Sequence, residues 1–129
     1  MPNTSDRKVE YRDRVNVFWK GSQQTFQRTI ELVTGIDLSS NSLSDGIPEE
    51  IIYLQGLRFL KLSRNNLSGS IPERIGMLDL LESLDFSWNE LSGVIPQSIS
   101  NLSCLSTLDL SNNDLWGKIP HRKPASKAC

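Results

Sequence analysis

"NNLSGSIPERIGML", residues 65–78, recurs twice with small changes, as "NSLSDGIPEEIIYL" at 41–54 and as "NELSGVIPQSISNL" at 89–102. The interval is constant. Asn41, Asn65, Asn89 and Asn113 stand 24 residues apart, as do the Ile-Pro pairs at 47–48, 71–72, 95–96 and 119–120. Apolar residues hold the same register. Leu57, Leu60, Leu62, Leu67, Ile71, Ile75 and Leu78 match Leu81, Leu84, Phe86, Leu91, Ile95, Ile99 and Leu102, with Val33, Ile36, Leu38, Leu43, Ile47, Ile51 and Leu54 in the unit before. A fixed period of this length marks a stack of like units. One unit cannot bury its leucines alone; stacked units share a continuous core.

Each position in the unit has a physical job. In "LRFLKLSRN", residues 57–65, Leu60 and Leu62 alternate with Phe59, Lys61 and Ser63, the period of a short strand with one buried face. The Asn that follows offers both a donor and an acceptor where the chain turns, and one such Asn per turn builds a ladder. Gly69, Gly93 and Gly117 provide backbone freedom, and Pro72, Pro96 and Pro120 fix an extended geometry. An "IxxL" stretch then returns the chain along the outer side. Asp45 stands where later units have Gly, with Gly46 one place further on, so the first unit's turn is the least well specified.

The spacing "LxxLxxLxLxxNxLSGxIPxxI" resembles the plant-type leucine-rich repeat over residues 32–120. The resemblance implies an α/β solenoid of four 24-residue repeats, a right-handed superhelix with short parallel strands on its concave face and mostly irregular or 3₁₀ structure outside. Residues 1–31 are expected as a non-repeat, partly disordered segment, and residues 121–129 as a polar disordered tail. "VNVFWKGSQQTFQRTIELVTGIDL", residues 15–38, resembles the island of plant receptor-like proteins, which carry leucine-rich repeats and no kinase. Lys20-Gly21, Leu32-Val33 and the run from Ile36 to Asn41 match that pattern in spacing. The chain is then expected to hold the last repeats of a receptor ectodomain.

Formal net charge is −1 and pI about 5.8, which gives no bulk attraction to nucleic acid or to an anionic membrane. The opening "MPNTSDRKVEYRDRVN" has no apolar stretch of the kind a signal peptide needs, and no run approaches the length of a membrane span. Placement at the extracellular side of the plasma membrane is therefore implied by the family resemblance alone. Two cysteines, Cys104 and Cys129, make no disulfide framework. Cys104 reads most simply as a small buried side chain; a bridge to Cys129 would require a secreted chain. His121 sits in the polar tail, and Glu49, Glu50 and Glu73 follow the Ile-Pro turns, where they solvate the returning segment. These residues give no catalytic, cofactor or metal constellation.

The architecture offers binding instead. Columns of variable residues beside the strand leucines face the concave side: Gly35, Phe59, Ser83, Thr107; Asp37, Lys61, Asp85, Asp109; Ser39, Ser63, Ser87, Ser111; and Ser40, Arg64, Trp88, Asn112. Phe59, Lys61, Asp85, Trp88 and Asp109 are the candidate contact residues. Phe59 and Trp88 are the large aromatics of this set, the side-chain type enriched in contact anchors. Trp88 also fits a second role, as a shield over the Asn ladder. Lys61 between Asp37 and Asp85 also fits a cross-strand charge column. Asn66 and Asn101 lie in Asn-x-Ser sequons expected to face solvent and are candidate N-glycosylation sites.

The receptor-like resemblance implies perception of a peptide or protein signal in defence or development. A receptor-kinase co-receptor is the partner implied for these membrane-proximal repeats. Two alternatives stay open at this point: a secreted inhibitor of polygalacturonase type, and a receptor remnant without independent activity.

Overall fold

The computed structural model describes residues 34–124 and residue 129. The non-repeat segment expected over residues 1–31, with its Lys20-Gly21 pair, lies outside the described residues. Eight short strands follow in chain order: β1 (Gly35–Asp37), β2 (Ser44–Gly46), β3 (Phe59–Lys61), β4 (Asn66–Gly69), β5 (Ser83–Asp85), β6 (Glu90–Val94), β7 (Thr107–Asp109) and β8 (Asp114–Trp116). The odd strands form one parallel sheet in the order β1-β3-β5-β7, with Ile36, Leu60, Leu84 and Leu108 in register. This is the expected concave sheet, and the described residues form an open solenoid of four coils.

The even strands form a second parallel sheet, β2-β4-β6-β8, where irregular structure was expected. Its register is staggered, pairing Ser44 with Asn66, Ser68 with Glu90 and Ser92 with Asp114, two residues short of the full period. The "xLSGx" stretch is polar and glycine-containing, so its own composition does not favour a strand. Extended geometry is imposed by the neighbouring coil, whose backbone groups need partners. Between the two sheets the chain turns through a left-handed residue in every coil: Ser40, Arg64, Trp88 and Asn112 have φ of 57°, 57°, 58° and 58°. Asp45 takes φ 66° at the place held by Gly69 (76°), Gly93 (88°) and Gly117 (97°). The first unit therefore keeps the same turn, with a side chain in a region that costs most residues about 1–2 kcal/mol and that Asp tolerates better than most.

The outer side consists of 3₁₀ turns at Glu49–Tyr53, Ile75–Met77 and Gln97–Asn101. Pro48 and Pro96 precede two of them in extended conformation, at φ −62° and −63°. The carbonyls of Pro48, Pro72 and Pro96 accept the N–H of Ile51, Ile75 and Ile99. At one point the outer turns nearly touch. A Cβ on Gly76 would lie 2.1 Å from the Ser98 carbonyl oxygen. The Gly76 N–H donates to Ser98 Oγ at 2.9 Å, and Ser98 Oγ–H donates to the Glu73 carbonyl at 2.7 Å.

Leucines, isoleucines and Phe86 from all coils fill one core. Leu60, Leu62, Leu67, Leu84, Phe86 and Leu91 have no exposed surface, and each such burial stabilises by roughly 1.5–3 kcal/mol. The asparagine ladder runs beside them. Asn65 Oδ1 accepts the Leu43 N–H (3.0 Å), while its Nδ2 donates to the carbonyls of Leu38 in the coil before and of Leu62 and Ser63 in its own. Asn89 repeats this with Leu67 N–H and the carbonyls of Leu62, Phe86 and Ser87. Asn113 does the same with Leu91 N–H and the carbonyls of Phe86, Leu110 and Ser111.

The two cysteines are joined. Cys104 and Cys129 form a disulfide with Cα atoms 5.6 Å apart, so Cys104 is a cross-link rather than a solitary buried thiol. The reason is spatial: Lys123 lies against the outer side, where its N–H donates to the Ser100 carbonyl. Among the described residues no helix is long and apolar enough to cross a membrane.

Replacing Asn65 by Ala leaves one N–H and several carbonyls buried without their partner. We expect a loss of about 3 kcal/mol in urea unfolding, since each orphaned group costs about 1–3 kcal/mol. Asp45→Gly removes left-handed strain, and we expect the same measurement to show a gain of about 0.5–1 kcal/mol.

Candidate functional site

Parallel pairing sets the concave face. Register aligns Gly35, Phe59, Ser83 and Thr107 in one row and Asp37, Lys61, Asp85 and Asp109 in the next, as the sequence columns require. Adjacent rungs of such a sheet stand about 4.8 Å apart.

Phe59 is 44% exposed. Its ring leans across β1, since a Cβ on Gly35 would lie 3.3 Å from Phe59 Cδ2. The absence of a side chain at Gly35 thus gives the ring a shelf. Trp88 is 51% exposed, and the Arg64 guanidinium carbon sits 5.2 Å from its ring centroid. This is cation–π distance, worth about 0.5–1 kcal/mol at an exposed site. Both residues occupy the left-handed turn that points side chains out from the end of the strand. The Arg64 N–H donates to the Ser87 carbonyl and the Trp88 N–H to the Ser111 carbonyl, so backbone bonds to the next coil hold both in place. Sequence columns named Trp88; the partnership with Arg64 was legible there only as two members of one column.

The acidic row is organised along the chain rather than across it. Asp85 Oδ1 accepts the Ser87 Oγ–H at 2.7 Å and its N–H at 3.0 Å; Asp109 Oδ1 accepts the Ser111 Oγ–H at 2.6 Å and its N–H at 3.0 Å. Asp37 Oδ1 accepts the Ser39 N–H. These bonds close the ends of β1, β5 and β7 with an Asp-x-Ser turn, a local pattern typical of Asp and Ser, while β3 carries Lys61 at that place. The Ser111 hydroxyl, then the Ser111 N–H, hold the Asp109 carboxyl below its ordinary value of 3.8, with slight burial opposing them. Lys61 stands between Asp37 and Asp85 in register, while those carboxylates bond their own turns. Arg58 pairs with Glu82 at 2.9 Å at the entry to the strands.

Asn66 lies exposed on β4 and Asn101 exposed at the end of an outer turn, so both sequon side chains reach solvent away from the concave rows. Sequence columns did not include the exposed face of the second sheet, where Val94 (47% exposed) pairs in register with Trp116 (64%). Trp116 occupies the place of Ser44, Ser68 and Ser92 in the earlier units, a substitution that the alignment of units could have flagged. Two open hollows, of about 530 and 820 Å³, lie on the outer side near Gly76 and Ser98. Among the described residues no group of three or more His, Cys, Asp or Glu side chains could hold a metal ion.

A leucine-rich-repeat family model matches residues 71–115, and a second model of the same family matches residues 33–54 and 56–78. No curated protein matches the chain. Among solved structures it is similar to the ectodomain of the plant membrane receptor kinase GASSHO1/SCHENGEN3 from Arabidopsis thaliana, in complex with CASPARIAN STRIP INTEGRITY FACTOR 2. That match has 40% identity and a TM-score of 0.67, covering 70% of this chain and 11% of that one. The BIR3–SERK2 complex from Arabidopsis thaliana is similar at 44% identity and TM-score 0.67, covering 71% of this chain and 51% of that one. The Arabidopsis thaliana BIR2 ectodomain is similar at 46% identity and TM-score 0.63, covering 65% and 44%. The chain spans about half the length of these structures or less.

A carboxyl whose folded-state pKa is depressed stabilises the fold above its ordinary value, and that contribution is lost as pH falls through the folded-state pKa. An NMR titration of Asp109 is expected to show its midpoint below 3.8. The Ser111 amide shift should follow the same midpoint, and Ser111→Ala should move it upward.

Proposed function

The chain belongs to the leucine-rich-repeat family, and on that footing we propose that it is a non-enzymatic recognition module of a plant cell-surface receptor-like protein. It takes part in perceiving a protein or peptide signal in defence or development, on the extracellular side of the plasma membrane. The observation that carries this reading is the concave face itself. Four registered strands and the turns that follow them present two half-exposed aromatics, Phe59 and Trp88, on a surface otherwise built mostly of small and acidic residues, with Lys61 and Arg64 among them. Half-exposed aromatics fixed by neighbouring backbone bury large areas at little entropic cost, which is the profile of contact anchors.

The similar structures support the reading. One receptor ectodomain was solved in complex with CASPARIAN STRIP INTEGRITY FACTOR 2, and another similar structure is a BIR3–SERK2 complex. We take the partner of these coils to be a receptor-kinase ectodomain acting as co-receptor, met by Phe59, Lys61, Asp85, Trp88 and Asp109. Glycans on Asn66 and Asn101 would leave that face open.

Surface plasmon resonance against immobilised SERK-type ectodomains tests this. Binding is expected, and the double variant Phe59→Ala, Trp88→Ala is expected to weaken it at least roughly thirtyfold, the scale of one hot-spot loss of about 2 kcal/mol. Its melting temperature should change little, because both rings are half in solvent already. Absence of binding, or binding indifferent to the double variant, would overturn the assignment of this face.

A further inference from the structure

We propose that the Cys104–Cys129 disulfide is a redox-controlled latch on the fourth coil, so that its oxidation state sets how many rungs the concave face presents. The argument begins with what the bond encloses. It joins residues 25 apart, and the ring it closes contains β7, Asn113, β8 and the Ile119-Pro120 pair, which together make up the fourth coil.

That coil is the least secured of the four. Leu108, Leu110 and Leu115 are only partly buried, whereas their counterparts Leu84, Phe86 and Leu91 are wholly buried. Ile119 is 51% exposed against 3–7% for Ile47, Ile71 and Ile95. Among the described residues the coil rests on one neighbour only, through the β5–β7 and β6–β8 pairings and Asn113. In a stack held by nearest-neighbour contacts, such a coil opens first and does so without the others. The cross-link opposes this by removing freedom from the opened state. Two further bonds draw the chain end inward: Lys123 N–H to the Ser100 carbonyl, and Arg58 Nη1 to the Cys129 carbonyl at 3.4 Å.

Reduction would undo the latch. The Cys129 residue is exposed and Cys104 nearly buried, so attack falls on the Cys129 sulfur. Two equivalents of a small-molecule thiol supply two electrons and two protons. The S–S bond breaks, both cysteines become thiols, and the reductant leaves as its own disulfide. An opened fourth coil removes Asp109, Ser111 and Asn112 from the concave face. It also frees the Phe86 and Trp88 N–H groups from the Asp109 and Ser111 carbonyls. The effect on recognition rests on the function proposed above; the latch does not.

Hydrogen exchange measured by mass spectrometry on the whole chain, oxidised and then reduced by a thiol, tests the latch without any partner. Amides of residues 105–116 are expected to exchange on the order of a hundredfold faster after reduction, the scale of opening a loop of this size. Residues 57–81 should change less than about threefold, as expected for coils that open separately, while Phe86, Trp88, Leu91 and Ile95, whose N–H groups donate to the fourth coil, should accelerate with 105–116. Cys129→Ser, which leaves the nearly buried Cys104 in place, should reproduce the reduced pattern under oxidising conditions. Unchanged exchange at 105–116, or an equal acceleration through all coils, would overturn the proposal. A latch confirmed in a chain that binds no receptor ectodomain would sink the recognition reading alone.

Discussion

Each coil is tied to the next by one asparagine whose amide reaches in both directions. Asn65, Asn89 and Asn113 each accept an N–H from the preceding coil and donate to a carbonyl of that coil, as well as to carbonyls of their own. The need is general: a tight turn buried between stacked coils strands backbone donors and acceptors that water cannot reach. A carboxamide satisfies both kinds from one side chain, where Asp lacks the donors and Leu has neither. The position therefore leaves little choice of residue, and its recurrence sets the period of the stack.

From that constraint the two sheets follow. The asparagine comes just after the left-handed residue in the turn that follows the concave strand, and just before the strand of the second sheet. With backbone fixed on both sides of the turn, the side chains at 59, 61, 64, 85, 88 and 109 have little freedom in where they emerge. The concave face is consequently rigid in its spacing and variable in its chemistry. Phe59 on its Gly35 shelf and Trp88 under the Arg64 guanidinium are two outcomes of that arrangement.

The same stacking that builds the core leaves its fourth coil weak. Interior coils bury their leucines against two neighbours, while the fourth coil leaves Leu108, Leu110 and Leu115 only partly buried. The disulfide closes a ring around that coil and so acts where packing contributes least. In a compact globule of this size the core is shared by most elements; here each interface is local, and a local fastener has a local effect.

The period, the strand leucines, the ladder and the concave columns were all legible in the sequence, because each is a repeated local demand: alternate burial, a turn needing a donor and an acceptor, a proline-fixed return. Asp45 could be read as a departure, and the turn it occupies survived because stacking fixes the backbone there. The second sheet was not legible, since Ser44, Asn66, Ser68 and Ser92 have no strand preference and become extended only against a neighbouring coil. Nor could spacing alone decide the Arg64–Trp88 contact, the Asp-x-Ser turns or the Cys104–Cys129 bond. Those depend on which side chains the superhelix brings within reach, a property of the stacked coils that no single unit carries.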